Sequence, residues 1–274
     1  MIQDIAPKKY DNAFYVKSPC EGDTVFVFDK NAVLCRKNAE TVRYPTLGQL
    51  GAAPDDCTFL FAIDDADYFL LRRSKYSVPE GFGLENITLF RTAKPGDLAF
   101  AGFVTWQLYN WYQENKFCGR CGRPLTPSVK ERMLECRACG QTVYPKISPG
   151  VIVAITAGDR LLLTKYAGRP YANWALVAGF TEVGETLEQT VEREVLEEVG
   201  LRVKNITYYK SQPWAFSSSL LCGFFAEVDG DTAVTLQTDE LAVAEWFTRE
   251  QIDLLPDSLS LTREMMMLFK NGGR

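Results

Sequence analysis

Two groups of residues in this sequence have the types and spacing to do chemistry. Glu194, Glu197 and Glu198 stand at i, i+3 and i+4 of one segment, so on a helix their carboxylates share a face, with Leu187, Val191 and Val195 as an apolar stripe behind them. Like charges this close cost helix stability unless a counter-ion joins them. A donor set made only of oxygen favours hard divalent cations such as Mg2+ or Mn2+. Cys118, Cys121, Cys136 and Cys139 form C-x2-C-x14-C-x2-C, the spacing that closes four thiolates around Zn2+. Each pair is followed by a glycine, Gly122 or Gly140, that can take the positive φ of a metal knuckle. Four ligands leave no open position, so this zinc is structural. Cys20, Cys35, Cys57 and Cys222 are isolated and expected to be core thiols.

The chain contains no histidine, which removes Ser-His-Asp and Cys-His nucleophile systems, histidine metal ligands and the usual neutral-pH base. Acid-base work then falls to carboxylates, thiolates, lysine or tyrosine. The formal charge of −5 argues against a surface that binds nucleic acid everywhere. One stretch runs against that total, with seven basic and two acidic residues between Lys116 and Lys146. No signal-peptide run opens the sequence and no stretch approaches the roughly 20 apolar residues of a membrane helix. The expectation is a cytoplasmic protein without a membrane partner.

The elements that must hold these residues follow from periodicity. Thr186 with Gln189 fits a capping box and Gly200 fits the closing left-handed position, which bounds the carboxylate helix. Arg193 and Glu185 are spaced to tie that helix to the loop before it. Strands are expected at Val151–Ile155, Arg160–Leu163, Trp174–Val177, Ile206–Lys210 and Leu220–Val228, with short helices at Arg249–Leu255 and Leu261–Lys270. Ahead of the cysteines, Thr24–Phe28, Thr58–Ile63, Tyr68–Leu71 and Ile87–Arg91 read as strands of a small, mainly antiparallel domain. A helix from Asp97, its expected N-cap, to about Asn115 leads into the first knuckle. The fold class is α/β (α+β), a helix packed on a mixed sheet, preceded by a small β domain and a zinc ribbon. The expected boundaries are 1–115, 116–143 and 144–274.

Gly179, Glu185, Arg193, Glu194, Val195, Glu197, Glu198, Gly200 and Leu201 fill every position of G-x5-E-x7-R-E-U-x-E-E-x-G-U, where U is aliphatic. The segment therefore resembles the Nudix box, whose family hydrolyses nucleoside diphosphates linked to another moiety. Ser211-Gln212-Pro213-Trp214-Ala215-Phe216-Ser217-Ser218-Ser219 is similar to the S-Q-P-W-P-F-P-x-S signature of the NADH pyrophosphatase branch. Tyr144-Pro145-Lys146-Ile147-Ser148-Pro149 resembles that branch's Y-P-R-x-x-P linker. The resemblance covers roughly residues 115 to 262 and implies an α/β/α Nudix domain that splits NAD(H) into NMN(H) and AMP. It also implies action on NAD-capped RNA and a homodimer.

Carried over by position, the resemblance puts catalytic Mg2+ or Mn2+ on Glu194, Glu198, Glu240 and the Ala178 carbonyl, with Glu197 as a further ligand. Glu198, then Glu240, would orient or deprotonate the attacking water. Glu240 is placed by a run, Asp239 to Phe247, similar to the family's E-I/L-x-x-A-x-W-F. The dinucleotide would be held by Phe180, Tyr144, Glu131, Thr262 and the Gln212–Ser219 segment. Flat nicotinamide and adenine rings suit stacking on Phe180, Trp214, Phe216 or Tyr144. Ala215 and Ser217 depart from two prolines of the signature and Lys146 from its arginine, which loosens the loop and removes a bidentate fork. Other Nudix substrates, ADP-ribose or diadenosine polyphosphates, and a nucleotide-sensing RNA-binding regulator are the competing readings.

Overall fold

The computed structural model describes residues 1–72, 75–168, 173–253 and 259–273. It divides into two compact units, Ile2–Lys146 and Ile147–Arg274, the latter joined by Met1.

In the first unit the strands Tyr10–Asp11, Cys57–Ile63, Ala66–Leu71 and Thr24–Phe26 form one sheet, and Phe28–Asp29, Ala32–Asn38, Thr41–Arg43 and Gly83–Asn86 another. Val25, Leu34, Leu50, Phe59 and Phe69 fill the core beneath them. The pairings are mainly antiparallel, as expected, with Thr24–Phe26 alongside Ala66–Leu71 the parallel one. Ile87–Arg91 is a 3-10 helix, not a strand: the Asn86 side chain accepts from the Thr88 amide, and Ile87, Leu89 and Phe90 are buried. Helix α1, Gly96–Glu114, begins one residue earlier than expected. Its N-cap is Pro95, with no side-chain cap bond. Asp97 lies inside the first turn, buried and paired with Lys8, and so does not cap. The three short strands Thr126–Pro127, Leu134–Glu135 and Thr142–Val143 make the ribbon sheet.

The second unit is a six-stranded mixed sheet between two helices. Its strands are β1 (Ser148–Ala157), β2 (Arg160–Tyr166), β3 (Val177–Phe180), β4 (Val203–Trp214), β5 (Ser219–Val228) and β6 (Leu241–Thr248), in the order β4-β5-β1-β2-β6 with β3 also on β1. Strand β1 runs parallel to β5 along one edge. On the other edge it pairs antiparallel with β3 over Gly150–Val153 and with β2 over Thr156–Ala157. Side chains alternate across the strand. Val151, Val153 and Ile155 pack beneath α2 (Leu187–Val199), whose Val191, Val195 and Val199 are fully buried. Ile152 and Ala154 face the other way, against Leu261, Met265, Met266 and Phe269 of α3 (Leu261–Lys270). Each such aliphatic side chain taken out of water contributes roughly 1.5–3 kcal/mol.

Strand β6 carries the Leu241–Phe247 run, which the sequence marked only by its resemblance. The segment after it turns at Arg249–Gln251 instead of forming the expected helix, and the end of that expectation, Leu254 and Leu255, lies outside the described residues. Trp174–Val177 is shifted as well: the strand occupies Val177–Phe180, with only an isolated bridge from Ala175 to Thr164. Among the described residues no helix is long and apolar enough to cross a membrane.

Candidate active site

Helix α2 is fixed at both ends as its sequence requires. The Thr186 hydroxyl accepts from the Gln189 amide at 3.2 Å while Gln189 Oε1 accepts from the Thr186 amide at 2.8 Å. Gly200 closes the C-terminus with φ 70°. Between these caps the apolar stripe seats the helix on the sheet, and the carboxylates are sorted by depth. Glu194 is 9% exposed and Glu198 only 2%, whereas the Glu197 side chain is 53% exposed. Of the three, then, Glu197 stands at the rim.

Arg193 joins the helix to the loop before it. Its Nε donates to Glu185 Oε1 at 2.6 Å and its Nη2 to Glu185 Oε2 at 2.9 Å. That Nη2 also donates to the Phe180 carbonyl at 3.0 Å, and Nη1 to Glu194 at 2.8 Å and Glu197 at 3.0 Å. Glu185 accepts further from Thr190 Oγ1 and from the Glu182 amide, both at 3.0 Å. The Arg193 guanidinium, aided by the Glu182 amide, holds the Glu185 carboxyl down to about 2. The bridge read from the spacing of Glu185 and Arg193 is present, and it also reaches the end of β3.

Strand β3 brings Ala178 opposite Ile152 and Gly179 opposite Val151. Gly179 has a specific reason to be glycine: a Cβ built there would lie 2.0 Å from the Cδ and Oε1 of Glu194. The backbone at Gly179 thus runs directly against the Glu194 carboxylate, with Ala178 the residue before it on the strand. Burial pushes the Glu194 carboxyl up, its hydrogen bond from Arg193 opposes this, and the charges of Glu197 and Glu240 push it further. Glu240 itself is exposed, in a turn tied to α2 by the bond from the Gln237 amide to the Glu198 carbonyl at 3.0 Å. Glu194, Glu197 and Glu198 on α2 and Glu240 on the turn offer oxygen donors of the kind a hard divalent cation takes, although among the described residues the group of ligand atoms that lies within 4.8 Å of one another is the four-cysteine set. Like charges converging with one arginine to offset them are the electrostatic reason such an ion fits.

The signature segment lies at the same end of the sheet, since Ser148 of β1 pairs with Ser219 and, two residues on, Gly150 pairs with Phe180. Pro213 and Trp214 end the edge strand β4, where a proline costs no ladder bond. Ala215–Ser217 makes a 3-10 turn and Ser218 takes φ 50°. The missing prolines are compensated locally: Ser217 and Ser219 share a hydroxyl hydrogen bond at 2.7 Å, and the Ser218 amide donates to the Ala215 carbonyl at 3.2 Å. Trp214 and Phe216 meet edge to face at 5.4 Å. Phe180 is 52% exposed, as a stacking surface must be.

Other expected contacts have different roles. Gln212 is fully buried, its Nε2 donating to the Leu259 carbonyl at 2.6 Å and its Oε1 accepting from the Leu261 amide at 2.8 Å. Its side chain thereby anchors the start of α3 and is not presented to a ligand. Ala215 and Ser219 are likewise buried. Thr262 lies half-buried in the first turn of α3. In the other unit Tyr144 donates to Glu131 Oε1 at 2.9 Å, so those two form one pair. A cavity of about 680 Å³ lined by Thr156, Arg160 and Lys204 opens at the far end of β1 and contains none of the box carboxylates. Chemistry, and not cavity size, locates the site.

In the first unit the sulfurs of Cys118, Cys121, Cys136 and Cys139 all lie within 4.8 Å of one another. Sulfurs about 2.3 Å from a tetrahedral zinc stand about 3.8 Å apart. Here Cys118 to Cys139 is 3.6 Å and Cys121 to Cys136 is 3.4 Å, so the four-thiol set fits zinc. The two knuckles are built alike: Gly122 and Gly140, at φ 70° and 73°, donate to the Cys118 and Cys136 carbonyls at 2.8 Å. The Arg120 amide helps to hold the Cys118 thiol below its ordinary range. Cys35, Cys57 and Cys222 are buried as expected, but Cys20 is exposed, in a turn where its amide donates to Asp23 at 2.7 Å.

Two domain models match the chain. The NUDIX domain model matches residues 146–269, and the NADH pyrophosphatase zinc ribbon domain model matches residues 113–144. Among similar proteins, the NAD-capped RNA hydrolase NudC of Salmonella heidelberg is 42% identical over 160 residues, 58% of this chain and 62% of that protein. The protein of that name from Citrobacter koseri matches at 42% over 160 residues with the same coverage. The chain thus spans less than two thirds of the length of these relatives. A solved NUDIX hydrolase from Nitrosomonas europaea is 25% identical, with a TM-score of 0.48, covering 57% of this chain and 91% of its own.

Proposed function

We propose that this chain, a Nudix-domain protein bearing the zinc ribbon of the NADH pyrophosphatases, hydrolyses the diphosphate bridge of NAD(H) to NMN(H) and AMP. The observation that carries the reading is the pair of buried carboxylates on one helix, Glu194 and Glu198, with Glu194 against the Gly179 backbone and the preceding loop fixed by Arg193. Glu194, Glu198, Glu240 and the Ala178 carbonyl would hold Mg2+ or Mn2+, with Glu197 at the rim as a further ligand. Ions bound there supply positive charge against the diphosphate and lower the pKa of a nearby water.

The protein's own groups do the rest. Glu198, the deepest carboxylate, orients the attacking water and takes its proton, with Glu240 the second choice. Arg193 keeps the loop and the Phe180 carbonyl in place as the substrate enters. Phe180, Trp214 and Phe216 stack on the flat rings, a contact worth about 0.5–1.5 kcal/mol beyond buried area. The neighbouring hydroxyls of Ser217 and Ser218 are the polar groups of that loop, and Pro213 stiffens its entry. Glu131 and Tyr144, a hydrogen-bonded pair in the other unit, are kept as proposed substrate contacts on the resemblance alone.

The activity for which the relatives are named supports NAD-capped RNA as a second substrate, as does the basic balance of the Lys116–Lys146 stretch. A homodimer in the cytoplasm completes the reading. The deciding experiment is a metal-dependent turnover assay across NADH, NAD+, NAD-capped RNA, ADP-ribose and diadenosine polyphosphates. The proposal requires kcat/KM for NADH or the capped RNA to exceed the others. A preference for ADP-ribose or a diadenosine polyphosphate overturns the substrate, and no turnover of any overturns the enzyme in favour of a nucleotide sensor.

A further inference from the structure

Away from the box, the first unit contains an arginine whose side chain has no hydrogen-bond or ion-pair partner among the described residues. Arg72 ends the strand Ala66–Leu71, and its Nε is buried without a hydrogen bond. No ion pair engages it among the described residues, and its guanidinium carbon stands over the Tyr112 ring at 6.0 Å. Asp55 and Asp56 border an adjoining cavity with it but lie too far for a salt bridge. Arg72 is only partly buried, so its guanidinium keeps its charge at the cavity wall with one buried N–H left unsatisfied, and an anion placed there would meet both.

The space in front of Arg72 is a cavity of about 400 Å³, the size range of small-ligand sites. Its wall includes Lys116, exposed and without an ion pair, and among the described residues no carboxylate. The same wall carries Tyr109, Tyr112 and Phe117, and Phe117 is 64% exposed with no ring packed on it. A second cavity shares Arg72 and Tyr112, and in it the Thr58 hydroxyl is buried and also unbonded. Two cations and a free aromatic face therefore line one cavity, and the unmet Thr58 hydroxyl lies in the second, which Glu131 also lines. A bare anion would use the cations but leave Phe117 exposed; a lipid or apolar ligand would strand Arg72.

We propose that this cavity binds a nucleoside phosphate, with the phosphate on Arg72 and Lys116 and the base stacked on Phe117. Charge-assisted hydrogen bonds and base stacking are the two contacts such a ligand offers. The ligand can be a free mononucleotide or the end of a single strand, since both present the same group. The site does not depend on the hydrolytic activity of the other unit.

The test is photolabelling of the full zinc-loaded chain, without added divalent metal, by azidoadenosine monophosphate, followed by peptide mapping. Label is expected within Tyr109–Phe117, displaced by AMP, and weakened on the order of tenfold by Lys116→Ala or Phe117→Ala, as loss of one charged or stacking contact requires. Both residues are exposed, and unchanged zinc content and melting temperature show that the variants fold. Arg72→Met should abolish the label. Displacement by AMP alone names a free nucleotide as the ligand, and stronger displacement by a short oligonucleotide names a strand end; each upholds the site. Label confined to peptides from residues 177–219, label that survives both alanine variants, or equal displacement by inorganic phosphate overturns the proposal.

Discussion

Gly179→Ala tests the geometry of the carboxylate site with a single methyl group. Gly179 is not in the left-handed region, so alanine carries no backbone penalty there, and the effect isolates the contact. The new Cβ would sit 2.0 Å from Glu194 Cδ and Oε1 and 2.3 Å from Oε2, where real contacts do not fall below 3.0 Å. Glu194 must move by an ångström or more, or β3 must shift from β1. Overpacking of this kind costs about 1–3 kcal/mol of stability. A displacement of about 1 Å in a positioned catalytic group costs on the order of 100-fold in rate, about 2.7 kcal/mol of barrier. Steady-state kinetics and urea denaturation read the two effects separately. Adding Glu194→Ala removes the clashing carboxylate, so the stability loss from Gly179→Ala should vanish in that background while activity stays low. A Gly179→Ala enzyme that keeps more than about a third of wild-type kcat/KM, a rate loss far smaller than misplacement predicts, would refute the reasoning.

Glu198→Gln should lower kcat by several orders of magnitude with circular dichroism unchanged; more than about a tenth of activity remaining is too small a loss for a residue that positions the water. Freshly purified protein should contain one zinc per chain by elemental analysis, and Cys118→Ser should reduce its melting temperature before it affects chemistry, because closed thiolate sites contribute to folding directly. Glu185 is held to about 2 by Arg193 and the Glu182 amide, below the roughly 4.3 of a free glutamate. A depressed carboxyl stabilises the fold above its unfolded pKa, and that contribution disappears as pH falls from about 4 toward 2. Glu185→Gln should therefore flatten acid unfolding in that window, and an identical acid limb would contradict the tie. Arg120, Arg123 and Arg137 are exposed around the ribbon and form no ion pair among the described residues. Reversing all three to glutamate should weaken cleavage of NAD-capped RNA, more so at low salt, with free NADH little changed; equal loss on both substrates would remove RNA contact as the cause.

What could be read from the sequence was what is decided within a few residues. The caps Thr186, Gln189 and Gly200, the i, i+3, i+4 carboxylates and the paired knuckles are local, and the structure places each as its spacing requires. Ile87–Arg91 misled because its apolar residues fit a strand, while the Asn86 cap that winds it into a 3-10 turn is a weaker signal. Asp97 had the identity of a cap, but its carboxylate is committed to Lys8, far away in sequence. Gln212 belonged to a signature, and only the fold shows that its amide is used by Leu259 and Leu261. The reason for Gly179 was the least accessible, since it is a side chain fifteen residues later that fills the space where a Cβ would go. An Arg72 without a counter-charge is likewise invisible until the acids around it have been located.

The alternation along β1 also limits how this unit can change over time. Val151, Val153 and Ile155 lie under α2 and Ile152 and Ala154 under α3, so both faces of one strand are committed to different helices. Inserting or deleting a single residue between Gly150 and Ile155 would exchange the two faces and bury each set against the wrong helix. A two-residue insertion would restore the faces but slide β3 by about 7 Å along the strand, carrying Ala178 and Gly179 away from Glu194. Length variation in a lineage of such proteins should therefore collect in the turns at 229–240 and 249–251, while β1 tolerates substitution but not a change in length.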